Sequence, residues 1–249
     1  MKITWHFEPA DIEKVQSFFE KHRDNPFVQQ REAVNLADNK PPVTKEDFWE
    51  RMVACLLTTQ QRSGPDSPIS RFMTRPFPLR WEICVEEESL ADFARGVMAD
   101  FGGIRRSTII GKEMAKNMVK IQSHTWESTL EKLDALRIGV EAAVERQTAD
   151  FIDDVYHGFG PKQSRNLLQM LGLSRYEIPI DSRITKWLNE QGFPVKLTAG
   201  PLQDQHYYAF VSDGFQQLAS ACGIFPCLLD AAIFSSFDGD GWTEDNVVW

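Results

Sequence analysis

"HGFGPKQSRNLLQMLG", residues 157–172, decides how the rest of the chain is read. Two glycines flank one aromatic residue, Pro161 follows, and Lys162 begins a run with Ser164, Leu167, Leu168 and Leu171 at i, i+3, i+4 and i+7. That spacing predicts one face of a helix. Pro161 suits the first helical position, where a missing N–H is harmless. Gly172 stands where a C-terminal cap is expected. With TADFIDDVY (148–156) in front, the stretch reads as helix, tight hairpin, helix. Gly158 and Gly160 permit a turn closed to residues with side chains, and they leave backbone N–H groups near a helix N-terminus, where a phosphate oxygen fits. Ser164 is small where the two helices must approach. Lys162 is the oddity. A helix N-terminus carries roughly half a positive charge, so an ammonium there must meet something negative or serve some use.

Working outward, residues 44–60, TKEDFWERMVACLLTTQ, predict a helix opened by a capping-box-like Thr44…Asp47 pair. Its wide apolar face, with Phe48, Met52, Cys55 and Leu56, marks it as central, and Gly64, Pro65 and Pro68 forbid continuation. A further helix starts near Ile69. Residues 88–120 give two helical stretches broken at Gly102–Gly103. The second carries Arg105, Arg106, Lys112, Lys116 and Lys120 against Glu113 alone, ordinarily the pattern of a solvated face. Residues 126–147 predict one amphipathic helix with Trp126, Leu130, Leu133 and Leu136 on one side. Pro179 biases Ile178 towards extended backbone, and Asp181 is placed to N-cap SRITKWLNEQG. Trp187 and Phe225 read as core. Strict two-residue alternation is absent, so the fold class is all-α.

The 249 residues are 42% hydrophobic and 25% charged, enough for a sizeable core. No apolar run reaches the roughly 18 residues of a membrane span, and the N-terminal segment lacks the apolar centre of a signal peptide. Cys55, Cys84, Cys222 and Cys227 read as reduced thiols of a cytoplasmic protein; Cys222 and Cys227 lack neighbouring ligands for zinc, and no metal site is expected. A net charge of −9 argues against indiscriminate nucleic-acid binding. Any such site is a local basic face.

Tyr156-His157-Gly158-Phe159-Gly160-Pro161-Lys162 resembles the hairpin of the helix-hairpin-helix DNA glycosylase superfamily, which includes endonuclease III and the 8-oxoguanine glycosylases. There the pattern is Leu-Pro-Gly, an apolar residue, Gly, any residue, Lys. The resemblance implies that Lys162 is a Schiff-base nucleophile. It implies that Asp181, 19 residues later (181 − 162) within Ile180-Asp181-Ser182-Arg183, is its catalytic partner. Tyr156-His157 replaces the usual Leu-Pro, and Arg183 stands where many relatives have His. Leu56-Leu57-Thr58-Thr59-Gln60 resembles a second family segment, whose glutamine fills the space left by an extruded base. Gln60 takes that place, with Gln61 and Arg62 beside it. Together GPKQSRNLLQMLG and IPIDSR are most similar to the archaeal-type 8-oxoguanine glycosylases, over roughly residues 44–190. The four cysteines of an iron–sulfur cluster are absent. The implied architecture is two helical lobes: a barrel over 44–175 containing the helix-hairpin-helix (148–172), and a second lobe from 1–43 plus 176–249. The implied activity is removal of an oxidised base, 8-oxoguanine first, followed by β-elimination at the abasic site. The implied partner is double-stranded DNA with a damaged base, handled by a monomer associated with the nucleoid. No cofactor is required, though hairpin carbonyls can hold a monovalent cation in relatives.

The chemistry of the residues agrees with this expectation. A nucleophilic amine must be neutral, and both desolvation and the positive end of a helix favour the neutral form. Asp181 can stabilise oxocarbenium-like charge or take a proton from the amine. From Gly158 to Leu188, Lys162, Arg165, Arg175, Arg183 and Lys186 stand against Glu177 and Asp181, a balance of five minus two, or +3. Arg165, Arg183 and Lys186 are therefore assigned to DNA, with the hairpin residues Gly158, Phe159 and Gly160 on the phosphates. Two alternatives stay open: a helix-hairpin-helix module that binds DNA or protein without catalysis, and a glycosylase for an oxidised or mismatched pyrimidine. Taken singly, Asp181 is a plain N-cap and Gln60 a plain helix end. The base pocket draws on scattered loops, so the sequence does not settle which base is removed.

Overall fold

A computed structural model describes residues 4–61, 63–139, 141–244 and 246. It is 64% helix in thirteen α-helices, and no strand occurs among the described residues. The helices are α1 (Pro9–His22), α2 (Pro26–Asn35), α3 (Lys45–Leu57), α4 (Pro68–Met73), α5 (Trp81–Cys84), α6 (Leu90–Phe101) and α7 (Ser107–Gln122). They continue with α8 (Thr125–Leu136), α9 (Ala142–Val155), α10 (Pro161–Met170), α11 (Ser182–Glu190), α12 (Gln205–Ala221) and α13 (Pro226–Ser236).

Helix α3 is the axis of the larger core. The Thr44 hydroxyl accepts the Asp47 N–H at 3.1 Å and caps it. Every residue from Met52 to Leu57 is buried, as are Phe48 and Trp49. A segment buried on all sides must lie inside a layer of others, and α4 to α10 surround the second half of α3 to form a cluster running from Val43 to Leu173. The Trp49 indole N–H is satisfied by the Leu79 carbonyl at 2.8 Å. A second cluster joins Val15 of α1 to α11, α12 and α13, and a third packs Phe27 and Val28 of α2 on α13 and Trp242. Trp187 lies in the second cluster, whereas Phe225 is 38% exposed, contrary to its reading as core, because it N-caps α13 from outside.

Two helix boundaries differ from expectation. The predicted single helix over 126–147 is two, α8 and α9, broken at Gly139. That glycine has φ +73°, a left-handed backbone, outside the helical region, that favours glycine, with the Arg175 guanidinium 3.0 Å from where a Cβ would sit. The helix expected to reach Gln60 ends at Leu57, because the Thr58 and Thr59 hydroxyls turn back to the Cys55 carbonyl, at 3.0 and 3.2 Å. Gln60 then adopts the left-handed conformation, φ 58°.

The passage from α10 to α11 positions the site. Gly172 (φ +73°) closes α10: its own N–H meets the Gln169 carbonyl at 2.9 Å and the Leu173 N–H meets Leu168 at 2.8 Å. The chain then runs extended over a buried carboxylate. Glu145 accepts the N–H groups of Arg175, Tyr176 and Glu177 at 2.8, 2.8 and 2.9 Å. The Tyr208 hydroxyl clamps the last stretch, accepting the Ile180 N–H at 2.6 Å and donating to Ile178 at 2.7 Å. Asp181 is thereby delivered to the start of α11.

Candidate active site

The hairpin between α9 and α10 is held by α7. The Asn117 amide makes two bonds to the backbone of His157, donating to its carbonyl at 2.9 Å and accepting its N–H at 2.8 Å. Gly158 has φ +82°, and the Glu113 carboxylate and Leu56 lie 2.6 Å from where its Cβ would be, so the position is closed to side chains twice over. Burial pushes the Glu113 carboxyl upwards, against the pull of Arg106 and Lys116. Tyr156, where the hairpin pattern that the sequence resembles has leucine, is buried and shares a 2.8 Å bond with the Thr129 hydroxyl. Ser164, fully buried, bonds back to the Gly160 and Pro161 carbonyls at 3.1 Å, letting α10 start flush against the turn.

Lys162 lies in the first turn of α10, partly buried, and its ammonium nitrogen is 3.3 Å from Gln163 Oε1. The Gln163 amide donates to the Cys55 carbonyl and to Thr59 Oγ1, both at 2.7 Å, which anchors this turn to the end of α3. Burial pushes the Cys55 thiol up to about 12 although the Lys162 amine pulls it the other way. Asp181 is the N-cap of α11, and both donors, Arg183 N–H at 2.8 Å and Ile184 N–H at 3.0 Å, converge on its Oδ1, leaving Oδ2 outside the cap. A single cleft of roughly 1280 Å³ is lined by Gly158, Phe159, Gly160, Lys162, Asp181, Gln60, Gln61, Arg183 and Lys186.

The structure corrects the assignment of Arg165 to DNA. Only 1% of it is exposed. Its guanidinium donates to Glu177 at 2.9 Å and Asp150 at 2.8 Å and stacks over Tyr208. The α10 register turns position 165 inwards between α9 and the extended segment, where a charge must be paired. Gln61 is also occupied internally: its amide accepts the Arg105 N–H at 2.8 Å and donates to Leu57 O, stapling the end of α3 to the loop before α7. Arg183 lines the cleft but is committed to α13, 3.9 Å over the Phe234 ring, 3.0 Å from the Phe234 carbonyl and 3.1 Å from Asp238. Lys186 is exposed with a loose 3.9 Å pairing to Glu190, free to meet a phosphate. Gln60 is exposed at the rim. Arg62 lies outside the described residues.

The cleft also contains groups that sequence reasoning missed. Arg31 of α2, Gln169 of α10 and Asp230 of α13 line it, with Phe27 and Phe234 stacked at 5.0 Å beside them. Burial pushes the Asp230 carboxyl up to about 7; Arg31, the Gln169 amide and Lys162 pull it down, and Asp181 adds to the rise. Thus Asp230 lies within electrostatic reach of both predicted catalytic residues. One signal was available: Asp230 is the lone charge in IFPCLLDAAIFSSF, and a carboxylate in an apolar helix needs a reason. Nothing in the sequence of α2 marked Arg31.

No protein-family model and no curated protein matches the chain. Solved structures do resemble it. The 8-oxoguanine DNA glycosylase of Thermotoga maritima aligns with a TM-score of 0.66 at 16% identity, covering 93% of this chain and all of that one. The Methanocaldococcus jannaschii 8-oxoguanine DNA glycosylase gives 0.62 at 14% identity over 92% of this chain and 94% of its own. The same organism's 8-oxoguanine glycosylase/lyase, in complex with a 15-mer DNA containing 8-oxoguanine, gives 0.63 at 13% identity over 92% and 96%. The chain therefore has the fold of the helical 8-oxoguanine DNA glycosylases.

Proposed function

We propose that this protein is a DNA repair glycosylase with abasic-site lyase activity. The observation that carries the reading is that Lys162, at the start of α10, and Asp181, at the cap of α11, open into one cleft bordered by a glycine hairpin. The lone pair of the Lys162 amine attacks C1′ of an extruded nucleotide. The bond from C1′ to the base nitrogen breaks, its electrons leave with the base, and the base takes a proton from solvent. Asp181, its second carboxylate oxygen unused by the cap, stabilises the positive charge that develops on the sugar. The attached nitrogen loses one proton, the C1′–O4′ bond breaks with its electrons and a proton going to O4′, and the nitrogen lone pair closes the C1′=N bond of a protonated imine. Removal of a C2′ proton then expels the 3′ phosphate. The hairpin N–H groups and Lys186 are suited to the phosphate backbone. No cofactor enters this chemistry. The Gly158 and Phe159 carbonyls accept no protein donor among the described residues, and a monovalent cation would be held there.

8-Oxoguanine is the proposed base, supported by the sequence resemblance and by the substrates named for the similar folds. The test is release of free base from duplexes carrying 8-oxoguanine, thymine glycol or a G·T mismatch, read by mass spectrometry. Release of 8-oxoguanine with strand cleavage at the same site is expected. Release of a pyrimidine alone would replace the substrate, and release of no base from any duplex would overturn the glycosylase reading. Asp181→Asn should keep DNA binding and slow base release about 100-fold or more; equal loss of both would reduce Asp181 to a cap.

A further inference from the structure

Outside the cleft, one row of positive charge has no ionic partner among the described residues. Helix α7 carries Lys112, Lys116 and Lys120 at i, i+4 and i+8, on one side of the helix and about 6 Å apart along its axis. Lys112 and Lys116 are exposed and Lys120 is half-buried, and none of the three forms an ion pair. Other surface cations behave differently. Arg23, Arg95 and Arg137 each hold a carboxylate three residues away, and Lys186 holds one four residues away. The only acid of α7, Glu113, is turned towards the hairpin, against Gly158. Like charges at i, i+4 oppose a helix rather than support it, so the row does not serve the stability of α7. In a chain with 36 acidic and 27 basic side chains, lysines left without internal partners suit an anion from outside.

The position of the row identifies the anion. Asn117 of the same helix holds both backbone groups of His157, so α7 lies along the hairpin. His157 is exposed at the hairpin tip, and its imidazole is lowered by burial and then by Lys116 and Lys120, which sets those two ammonium groups around it. Before the start of α7, Arg105 lines the cleft. The positive charge thus runs from the cleft rim, past the hairpin, to the far end of α7. We infer that Lys112, Lys116 and Lys120 form a phosphate track that holds the duplex flanking the lesion, beyond the base pairs that the cleft covers. This rests on the glycosylase reading above and deepens it by assigning a DNA surface outside the cleft. Phosphates recur at regular intervals along a strand, as the lysines do along the helix. Contacts of this kind fix affinity and orientation and carry no sequence information, so the track has no part in choosing the base. Ile109 and Val119, exposed on the same helix, would suit an acidic protein partner instead; continuity with the hairpin favours DNA.

The experiment compares the full chain with a variant carrying Lys112→Gln, Lys116→Gln and Lys120→Gln together. Binding is measured by fluorescence anisotropy at several salt concentrations. The probes are a long duplex with a central 8-oxoguanine and two duplexes cut close to the lesion, one on each side. On the long duplex the variant should lose about two to three units of salt slope, one for each phosphate contact removed. On one of the cut duplexes wild type and variant should have the same slope, because the flank that the lysines hold is gone. Neutralising like charges at i, i+4 should leave the melting temperature at or above that of the wild type, so the loss is not one of folding. An equal charge change elsewhere, Lys14→Gln, Lys21→Gln and Lys196→Gln, exposed residues of α1 and the loop before α12, should leave the slope in place. An unchanged slope in the α7 variant, an equal fall in the control variant, or a difference that persists on both cut duplexes would overturn the assignment. Failure of the underlying reading looks different: the slope falls with the α7 lysines, yet no base is released from any damaged duplex.

Discussion

A carboxylate in apolar surroundings is driven towards its neutral form, and in Asp230 burial outweighs the pull of Arg31, the Gln169 amide and Lys162, so that its carboxyl titrates near 7. The folded value lies above that of the unfolded chain. The contribution of this group to stability is thus fully present below about pH 4 and is lost as pH rises through about 7. Replacement by asparagine removes the titration but leaves the Arg31 charge buried, a cost that is constant with pH because guanidinium stays protonated. The difference in Tm between Asp230→Asn and the wild type should therefore grow in favour of the variant by at least about 4 °C between pH 4 and pH 8. Thermal melts at intervals of one pH unit check this; a constant difference would mean that Asp230 does not titrate in that window. Holding a carboxylate where it is strained costs stability, and such costs are tolerated where a site needs them. Asp230, Gln169 and Arg31 come from three helices separated by more than 60 residues of chain at each step, so no spacing rule could join them. The backbone places of Lys162, in the first turn of α10, and Asp181, at the cap of α11, were legible because the turn chemistry around each is local.

Among the elements, the helix-hairpin-helix was readable for the same reason. Gly158, Pro161, Gly172 and Asp181 each perform the backbone duty that their type predicts. What failed was facing and length. Arg165 was counted with the exposed positives, but the α10 register buries it against Glu177 and Asp150. A charge count along the chain cannot tell which side of a helix a residue occupies. Gly139 breaks 126–147 with a positive φ, a backbone conformation that apolar periodicity does not register. Arg165→Ala should accordingly destabilise the fold by about 3 kcal/mol or more, since Glu177 is completely buried and, among the described residues, keeps only Arg146 as a charged partner. The salt slope of DNA binding should stay unchanged in that variant. Denaturant melts and titrations at several salt concentrations measure both. A shallower slope with unchanged stability would return Arg165 to the DNA surface.

At the scale of the molecule, a chain of net charge −9 must approach a polyanion through one face. On the proposed reading the cleft is that face, with Lys186, Arg105 and the hairpin N-terminus of α10 around the opening. Gln60 projects from the rim in a left-handed conformation that only a few side-chain-bearing residues tolerate, and such strain gathers at functional sites. If it occupies the gap left by an extruded base, Gln60→Ala should slow base release from duplex DNA at least tenfold more than from single strands, where little unstacking is needed. The ratio of single-turnover rates on one lesion in the two contexts decides; equal losses would make Gln60 a plain loop residue. All of this depends on one nitrogen. The direct test is borohydride trapping on duplex DNA with a single abasic site, comparing wild type with Lys162→Gln. A covalent protein–DNA adduct that the wild type forms and the variant does not is the predicted result. Undiminished trapping in the variant, or none in the wild type, would contradict the account.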